Sequence, residues 1–584
     1  MTRTSFERTA FEPRSLVWRS VLTVLGSSVL LLASGCSAPE LAGGDADRPT
    51  FSADVGCHPS MDASFQAWAD RGVGASIVDV GGERECVAAY GFADPESGRP
   101  NTTDTVFAIG SITKAVTAAA IFDLIDDGVL TLGDTAGQHV PGLTGPAAEA
   151  TLRELLLHTS GVSGEHGFDH VPLTKSDAIE SISELDRAAE AGTAYLYMNA
   201  NYTVLALVID EVTTEGYRQY VVEEIMHDGT GRPLGGWWDG EPAPAGPRAW
   251  GFFADQPAEQ RGEAPGPHWA MEGNGLMAMT PLEMAEWIYA LFNEQILTPE
   301  ATQHLLSTST LLAGEKELPA WAEIGPDRFG ERIFATAGGG TGIGHEMNVA
   351  WMPESRRVVV LAENALDYDV PSFGIELLPA LAAGTGVPTP PPVAEADPKL
   401  IQATVGRYQL DDGSELLVEE EDGGLVMTAF GAAAITTMRP LPDGVPDVEE
   451  HVSAVADLFA GDATGDDRRW IGFLERAHGP LTKADVEGTY WDGELVSVVR
   501  LEFERSTQRA MAWVDAAGIA HFSPDGERVA VADFYAFDDE SDGFTVRYPN
   551  DRNPMVVVRP GADGIQIDGP GNARIALRSD DQQG

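Results

Sequence analysis

The chain has 584 residues, and its 91 acidic and 37 basic side chains give a formal net charge of −54. Apolar residues make up 43%, enough for hydrophobic cores, so a chain that is disordered throughout is excluded. At about 150 residues per domain, the length predicts three or four domains. The strong negative charge repels phosphate backbones, so we expect no nucleic-acid partner.

The first 35 residues have the pattern of a bacterial export signal. Arginines precede an apolar run from Val21 to Leu32, which is too short to span a bilayer comfortably and ends in Ala33-Ser34-Gly35-Cys36. A cysteine directly after small residues resembles a lipobox, so we predict that Cys36 is lipidated as the first residue of the mature chain. An ordinary signal peptide or an uncleaved anchor is the alternative. We therefore expect an exported protein, anchored in a lipid bilayer at the periplasmic or cell-surface face of a bacterial membrane.

The sequence contains three cysteines. With Cys36 lipidated, Cys57 and Cys86 remain as an even pair in an oxidising compartment, which predicts a disulfide between them. Two buried thiols are the alternative, because the sequence alone does not give the distance between the two residues.

Changes in composition divide the chain into five segments. One segment before the first folded domain is rich in Gly, Ala, Asp, Pro and Ser, and a later one is rich in proline, as is typical of linkers. The predicted organisation is a lipoprotein signal peptide at 1–35, a flexible tether at 36–58, a mixed domain at 59–383, a Pro-rich linker at 384–398 and a C-terminal β domain at 399–584.

The first of the two predicted domains combines strand and helix patterns. Apolar residues recur on one face of each helix pattern, and the strand patterns are short apolar runs. Strands that flank a helical middle favour an α+β fold or a three-layer α/β/α sandwich. The strand patterns lie at Ala75–Val80, Val87–Gly91 and Val358–Leu361, and the helix patterns at Ser111–Asp127 and Leu205–Val212.

Residues 399–584 have a different texture. Short apolar runs, as at Glu415–Val418 and Val496–Phe503, are interleaved with Asp-Gly turns such as Asp412-Gly413 and Asp525-Gly526. This pattern predicts an all-β domain, either a sandwich or a barrel, for which a lipocalin-like form is one option.

Ser111-Ile112-Thr113-Lys114 places a serine and a lysine three residues apart at the start of a predicted helix. Residues at i and i+3 share a helix face, with Cβ atoms about 5–6 Å apart, so the amine can reach the hydroxyl. Serine attacks a carbonyl only when a base takes its proton, and lysine is that base only when burial or nearby positive charge favours its neutral form. The helix N-terminus and the serine N–H would stabilise an oxyanion. An exposed serine beside a surface lysine is the alternative.

Further segments follow Ser111 in order along the chain. They are Leu155–Gly161, Tyr197-Met198-Asn199 and Gly273–Pro281. Together with the Ser111 motif, they resemble the serine β-lactamase and penicillin-binding-protein family, especially class C β-lactamases, DD-carboxypeptidases and related esterases. The resemblance covers about residues 60–383 and implies a β-lactamase-like α/β/α catalytic domain there.

The resemblance implies roles for four residues. Ser111 is the acylated nucleophile, Lys114 accepts its proton, Tyr197 relays a proton to the leaving group, and Asn199 holds Lys114 and the substrate amide. A buried aromatic near a helix start is the alternative for Tyr197, because tyrosine is frequent in this stretch. His158 suggests a triad with Ser111, but in the family its segment is a structural turn, and we favour that interpretation.

The resemblance fails at the third motif, which in the family is Lys-Thr-Gly or His-x-Gly. Here the slot holds Gly338-Gly339-Gly340, or Gly340-Thr341-Gly342 in a shifted register, and neither supplies a cation. We therefore expect poor recognition of β-lactams and of D-Ala carboxylates, and a gain in turnover of carboxylate-bearing substrates when Gly338 is replaced by His or Lys. Backbone N–H groups near Thr341 would still complete an oxyanion hole. His345 as a substitute cation is disfavoured.

Aromatic residues are concentrated between residues 235 and 270, among many Gly and Pro. Such a segment either roofs a pocket for an apolar acyl group or packs a loop. Since His, Cys and Asp show no metal-ligand spacing, we predict no metal and no organic cofactor. The aromatic residues concerned are Trp237, Trp238, Trp250, Phe252, Phe253 and Trp269.

These observations predict an extracytoplasmic serine hydrolase that forms an acyl-Ser111 ester, which water then cleaves. Carboxypeptidase or esterase activity, on a small-molecule, peptide or ester substrate, ranks ahead of β-lactamase activity. The alternatives are a non-catalytic relative that binds cell-wall fragments or protein partners, and a structural lipoprotein whose C-terminal β domain carries the role.

Overall fold

The structure is a computed structural model that describes residues within 51–578. The gaps are 53–54, 70–73, 82–84, 165, 168–171, 254–255, 258–265, 313–314, 341–342, 367–377, 379, 382–395, 422–423, 440, 442–444, 446–447, 463–470, 472–473, 476–477, 492–494, 515–519, 524–530, 536–542, 547–555, 562–563 and 570–571. The predicted export signal and Cys36 therefore lie outside the described residues. Contacts divide the chain into two compact units, Met1–Thr389 and Pro390–Gly584, with a boundary inside the predicted linker at 384–398.

The first unit mixes helices and strands. Its helices are α1 (Pro59–Ala69), α2 (Thr113–Asp126), α3 (Ala136–His139), α4 (Gly145–Glu149), α5 (Leu152–Leu156), α6 (Lys175–Ser183), α7 (Asn199–Val212), α8 (Tyr217–Tyr220), α9 (Pro281–Phe292), α10 (Pro299–Ser307) and α11 (Pro326–Phe329). Its strands are β1 (Ala75–Val80), β2 (Cys86–Tyr90), β3 (Phe92–Asp94), β4 (Arg99–Pro100), β5 (Phe107–Ala108), β6 (Val162–Ser163), β7 (Asp186–Arg187), β8 (Gly236–Trp237), β9 (Phe252–Phe253), β10 (Gln256–Pro257), β11 (Met277–Met279), β12 (Thr310–Leu312), β13 (Glu315–Leu318), β14 (Trp321–Ile324), β15 (Ile333–Gly340), β16 (His345–Met352), β17 (Arg357–Glu363) and β18 (Ala365–Leu366).

An eight-stranded antiparallel sheet, in the order β12-β13-β14-β15-β16-β17-β1-β2, organises this unit. The predicted hairpin is β1 with β2, and the predicted buried strand is part of β17, which pairs with β1. The residues of β1 and nearly all of β17 are buried, which explains their continuous apolar runs. The predicted mixed α/β class of this domain is confirmed.

Helix α2 begins at Thr113, directly after a short 3₁₀ turn at Gly110–Ile112, slightly later than the helix predicted from Ser111. It is buried over almost its whole length, and several of its residues are alanines, which let α7 and α10 approach closely. At the start of the unit, Cys57 and Cys86 form a disulfide that joins the segment before α1 to β2. No helix in the described ranges has the length and apolarity needed to cross a membrane.

The second unit contains a closed barrel in the strand order β19-β20-β21-β26-β27-β28-β29-β30, and a separate four-stranded sheet, β22 to β25, inserted between β21 and β26. The β-rich pattern is therefore confirmed, but the sequence did not predict three helices found among the described residues of this unit. These are α12 (Pro398–Thr404), α13 (Ala432–Met438) and α14 (Val448–Asp457). The strands are β19 (Gly406–Gln409), β20 (Glu415–Glu421), β21 (Gly424–Phe430), β22 (Leu481–Trp491), β23 (Leu495–Phe503), β24 (Thr507–Val514), β25 (Ala520–Ser523), β26 (Val531–Tyr535), β27 (Phe544–Val546), β28 (Val557–Pro560), β29 (Gly564–Gly569) and β30 (Asn572–Arg578).

Candidate active site

Ser111 lies in the 3₁₀ turn that joins β5 to α2. The preceding Gly110 has a φ of +48°, and a Cβ atom there would lie 2.4 Å from the backbone nitrogen of Gly339. Only glycine combines this left-handed backbone with so close an approach to β15. The turn therefore presents the Ser111 hydroxyl at the helix N-terminus, against the strand that carries the three glycines.

The Ser111 hydroxyl receives two hydrogen bonds from the residues predicted to act with it. Lys114 Nζ donates to Ser111 Oγ at 2.8 Å, and the Tyr197 hydroxyl donates to the same atom at 2.7 Å. The amine also lies 4.9 Å from the centre of the Tyr197 ring. Asn199 is the first residue of α7, two positions after Tyr197. The structure thus brings Ser111, Lys114 and Tyr197 together at one point.

Lys114 is held by a group that sequence reasoning did not single out. Its side chain is 1% exposed, and Nζ donates to the backbone carbonyl of Asn274 at 2.9 Å. The Asn274 side chain in turn donates to Thr203 Oγ1 and to the carbonyl of Ala270, both at 2.8 Å, which fixes this loop against α7. The loop belongs to the Gly273–Pro281 segment of the predicted motif, but the acceptor is a backbone oxygen, so its residue type carries no signal.

His158 supports the site from behind and is not a base for Ser111. Its Nδ1 accepts a hydrogen bond from the backbone N–H of Met198 at 3.1 Å, and its ring lies 4.5 Å from the Tyr197 ring. Burial, and next the positive charge of Lys114, hold the pKa of His158 well below its usual value, so the ring is neutral. A neutral acceptor that anchors the backbone beside Tyr197 matches the structural role that we favoured.

Gly338 corrects one prediction about the third motif. It pairs with Met347 across β15 and β16, and a Cβ atom at Gly338 would lie 2.2 Å from the carbonyl of Ile109 and 2.5 Å from the backbone nitrogen of Ser111. No side chain fits there, so the expected gain from replacing Gly338 by His or Lys is wrong. By contrast, a Cβ at Gly340 would meet no atom closer than 3.9 Å, and Thr341 lies outside the described residues.

The strand β15 nevertheless supplies no charge to the pocket. The pocket that contains Ser111, Lys114 and Tyr197 is lined on the β15 side by Thr336 and Ala337. Both side chains are uncharged, so β15 offers no cation to the pocket. The residues of β15 that line the pocket are Thr336 and Ala337, which precede the glycines of the predicted motif.

The pocket also contains an acidic residue that sequence reasoning missed. Glu317, on β13, lines the same pocket and is only 3% exposed. In the sequence it stands in the charged run Glu315-Lys316-Glu317, which is typical of a solvated surface. Only the pairing of β13 with β14 places it at the site.

The aromatic residues of this segment whose side chains the structure describes do not line this pocket. Trp237 and Trp238 are 0% and 2% exposed and belong to the hydrophobic core, and they are not among the residues that line the pocket with Ser111. His345 is also buried, 5.1 Å from the Trp238 ring and 5.9 Å from the Phe107 ring. Burial lowers its pKa to about 3, so it is neutral and is no substitute cation. Loop and core packing explains these residues.

Metal ligands are not assembled in the part of the chain that the structure describes. No group of three or more His, Cys, Asp or Glu side chains there is arranged to hold an ion. The polar groups around Ser111 are instead an amine, a phenol and a carboxylate, which suit proton transfer.

Comparison with known proteins gives one family. Residues 61–375, more than half of the chain, match the family model described as Beta-lactamase. The chain is 33% identical over 153 residues to "Putative penicillin-binding protein PbpX" of Bacillus subtilis (strain 168), covering 26% of this chain and 38% of the relative. It is 30% identical over 159 residues to "Protein flp" of Staphylococcus aureus (strain MW2), covering 26% and 32%. The matched region thus spans about a third of the length of these curated relatives.

Solved structures show similar chains at low identity. The octameric penicillin-binding protein homologue from Pyrococcus abyssi matches 82% of this chain and 98% of its own, with a TM-score of 0.45 and 18% identity. A class C beta-lactamase matches 56% of this chain and 94% of its own, with a TM-score of 0.46 and 15% identity.

Proposed function

The chain belongs to the beta-lactamase family, and on this premise we propose that it is a serine hydrolase that works through an acyl-Ser111 intermediate. One observation carries the proposal. Ser111 Oγ lies within hydrogen-bonding distance of both a buried amine, Lys114 Nζ, and a phenol, the Tyr197 hydroxyl. A hydroxyl with two adjacent proton carriers is the arrangement that nucleophilic catalysis by serine requires.

Acylation begins with transfer of the Ser111 hydroxyl proton to the neutral amine of Lys114. The Lys114 amine accepts the proton only in its neutral form, and its Nζ lies 2.8 Å from Ser111 Oγ, so the transfer is direct. Ser111 Oγ then bonds to the substrate carbonyl carbon, and the carbonyl oxygen gains negative charge. We propose that the N–H of Ser111, in the turn before the helix, donates to that oxygen. The second donor predicted near Thr341 lies outside the described residues.

The leaving group departs when the bond between its oxygen or nitrogen and the carbonyl carbon breaks. We propose that the Tyr197 hydroxyl passes a proton to it and is reprotonated from Lys114, whose Nζ lies beside the ring. Water then attacks the acyl-Ser111 ester, with its proton taken by the same pair of groups. The products are the free acid, the released alcohol or amine, and regenerated Ser111.

We propose esterase activity ahead of β-lactamase activity and also ahead of carboxypeptidase activity, because the substrates of both of these carry a carboxylate. The side chains that β15 contributes to the pocket, Thr336 and Ala337, are neutral, so they offer no ion pair to the carboxylate of a β-lactam. Esters need no such contact. The substrate is therefore a small ester, peptide or amide that the pocket can hold.

The proposal is tested by labelling Ser111 with a fluorophosphonate. The wild-type protein becomes labelled, Ser111→Ala does not, and the exposed-serine control Ser97→Ala is labelled like the wild type. Lys114→Ala is expected to slow labelling by about 10²–10⁴-fold, because it removes the base. Equal labelling of Ser111→Ala and the wild type would overturn the proposal in favour of a non-catalytic binding protein.

We also propose export and a lipid anchor on Cys36, supported by the lipobox-like end of the apolar segment. Cells fed a tagged fatty acid should label the wild-type protein but not Cys36→Ala, with Cys57→Ala as the matched cysteine control. Unlabelled wild-type protein, recovered in the soluble fraction, would contradict the anchor.

A further inference from the structure

A loop at residues 270–276, here called the carbonyl loop, supplies an acceptor to the Lys114 amine. Lys114 Nζ donates to the backbone carbonyl of Asn274 in this loop at 2.9 Å. Asn274 is 1% exposed and does not belong to the described residues that line the pocket of Ser111. The loop therefore acts on the reaction through the base, and not by contact with the substrate.

Helix α7 holds one side of the carbonyl loop. The Asn274 side chain donates to Thr203 Oγ1 of α7 and to the carbonyl of Ala270, both at 2.8 Å. Gly273 has a φ of +80°, and a Cβ atom there would lie 2.5 Å from the carbonyl oxygen of Tyr202. A side chain at this position would collide with α7, so the loop lies directly against the helix.

Helix α2, which carries Lys114, holds the other side of the loop. Thr117 Oγ1 donates to the carbonyl of Gly273 at 2.9 Å. Lys114 and Thr117 are three residues apart and share a helix face, so they donate to two consecutive carbonyls of the loop. Thr117 and Thr203 are both 0% exposed, so bulk solvent does not compete for the bonds that hold the loop.

We infer that Asn274 is a positioning residue for the base, and that Thr203 and Thr117 fix the carbonyl at which the amine is held. The inference rests on the proposed acyl-Ser111 chemistry and goes beyond it, because it assigns roles to residues outside the pocket. Lysine has a flexible four-carbon stem, and an acceptor beside Ser111 Oγ selects one of its conformations. The proton still passes from Ser111 Oγ to Nζ, and the loop determines where Nζ lies when it does.

Four variants test this inference. Thr203→Val replaces the hydroxyl that holds Asn274 by a methyl group of similar size, and Thr203→Ser retains the hydroxyl. Thr117→Val removes the bond to the loop from α2. Thr213→Val is the matched control, because Thr213 ends α7 and its hydroxyl donates within the helix, to the carbonyl of Ile209 at 2.7 Å.

Fluorophosphonate labelling of Ser111 is measured over a range of probe concentrations, which separates the maximal labelling rate from the concentration that gives half of it. We expect Thr203→Val and Thr117→Val to lower the maximal rate by about 10-fold, because a misplacement of about 1 Å costs up to about 10²-fold. The half-maximal concentration stays unchanged, since neither residue lines the pocket. Thr203→Ser and Thr213→Val are expected to label at the wild-type rate.

Guanidinium unfolding shows which variants are folded, and either valine variant decides the test when the other does not fold. A wild-type maximal rate in folded Thr203→Val or Thr117→Val overturns the inference, as does slowing that comes only from a raised half-maximal concentration. Equal slowing by Thr203→Ser or Thr213→Val also overturns it, because packing or helix stability is then the cause. Absence of labelling in the wild type overturns the proposed function and this inference with it.

Discussion

Gly338→Ala should damage the site by sterics alone. The added Cβ would lie 2.2 Å from the Ile109 carbonyl oxygen and 2.5 Å from the backbone nitrogens of Ser111 and Ile112, more than ~1 Å inside ordinary van der Waals contact. The turn that carries the nucleophile must therefore move by more than the ~0.5 Å that a catalytic geometry tolerates. We expect Ser111 acylation to slow by about 10²–10³-fold, as when an oxyanion donor is misplaced, and the free energy of unfolding to fall by about 1–3 kcal/mol.

Gly340→Ala is the matched control for this prediction. It lies two residues along the same strand, neither glycine has a positive φ, and its added Cβ would meet only Ile343 Cγ1, at 3.9 Å. The two variants therefore lose the same backbone freedom and differ in steric contact. The assay measures fluorophosphonate labelling rates and guanidinium unfolding for both. If Gly338→Ala labels as fast as Gly340→Ala, the close packing of β15 against the Ser111 turn is not what positions the nucleophile.

Three further changes have definite outcomes. Tyr197→Phe keeps the ring beside His158 but removes the proton relay, so acylation of Ser111 by an ester should slow by about 10²-fold or more. Burial lowers the pKa of His345 to about 3, so below pH 6.5 the unfolded chain binds more protons than the folded chain. The free energy of unfolding therefore decreases as the pH is lowered, by up to about 1.4 kcal/mol per pH unit. His345→Phe should reduce this slope in urea titrations. Replacing Cys57 and Cys86 by serine should lower the unfolding free energy by roughly 2–4 kcal/mol in guanidinium titrations.

Each of these changes has a result that contradicts its reasoning. If Ser111 in Tyr197→Phe is acylated at the wild-type rate, the phenol of Tyr197 takes no part in proton transfer. An unchanged pH slope between 6.5 and 3 in His345→Phe would mean that His345 titrates normally or that other groups dominate. Reduced wild-type protein is the control for the cysteine variant, and equal stability of oxidised and reduced protein would show that the Cys57–Cys86 bond constrains little.

The residues that the sequence predicted well are those whose chemistry depends on residue type and local spacing. Ser111 and Lys114 meet because three residues make nearly one helical turn, and this holds whatever surrounds them. Tyr197 is distant in sequence and was found through the resemblance of its motif. The β-rich second unit was likewise predicted from short apolar runs and Asp-Gly turns, with a barrel and a sandwich left as alternatives. The short helices α12 to α14 are stabilised by packing that no local pattern reports.

The features that sequence reasoning missed depend on strand register and backbone atoms. The third motif was misplaced because a run of three glycines has no side chain to mark which one faces Ser111, and only the pairing of β15 with β16 decides it. Glu317 is more than 200 residues from Ser111, and a one-residue slip of β13 would move it to the opposite face and bring Lys316 inward. The register of β13 thus decides whether an acidic or a basic side chain lines the pocket of Ser111. A β13 strand shifted by one residue would bring a basic side chain to the position that the acidic Glu317 now occupies.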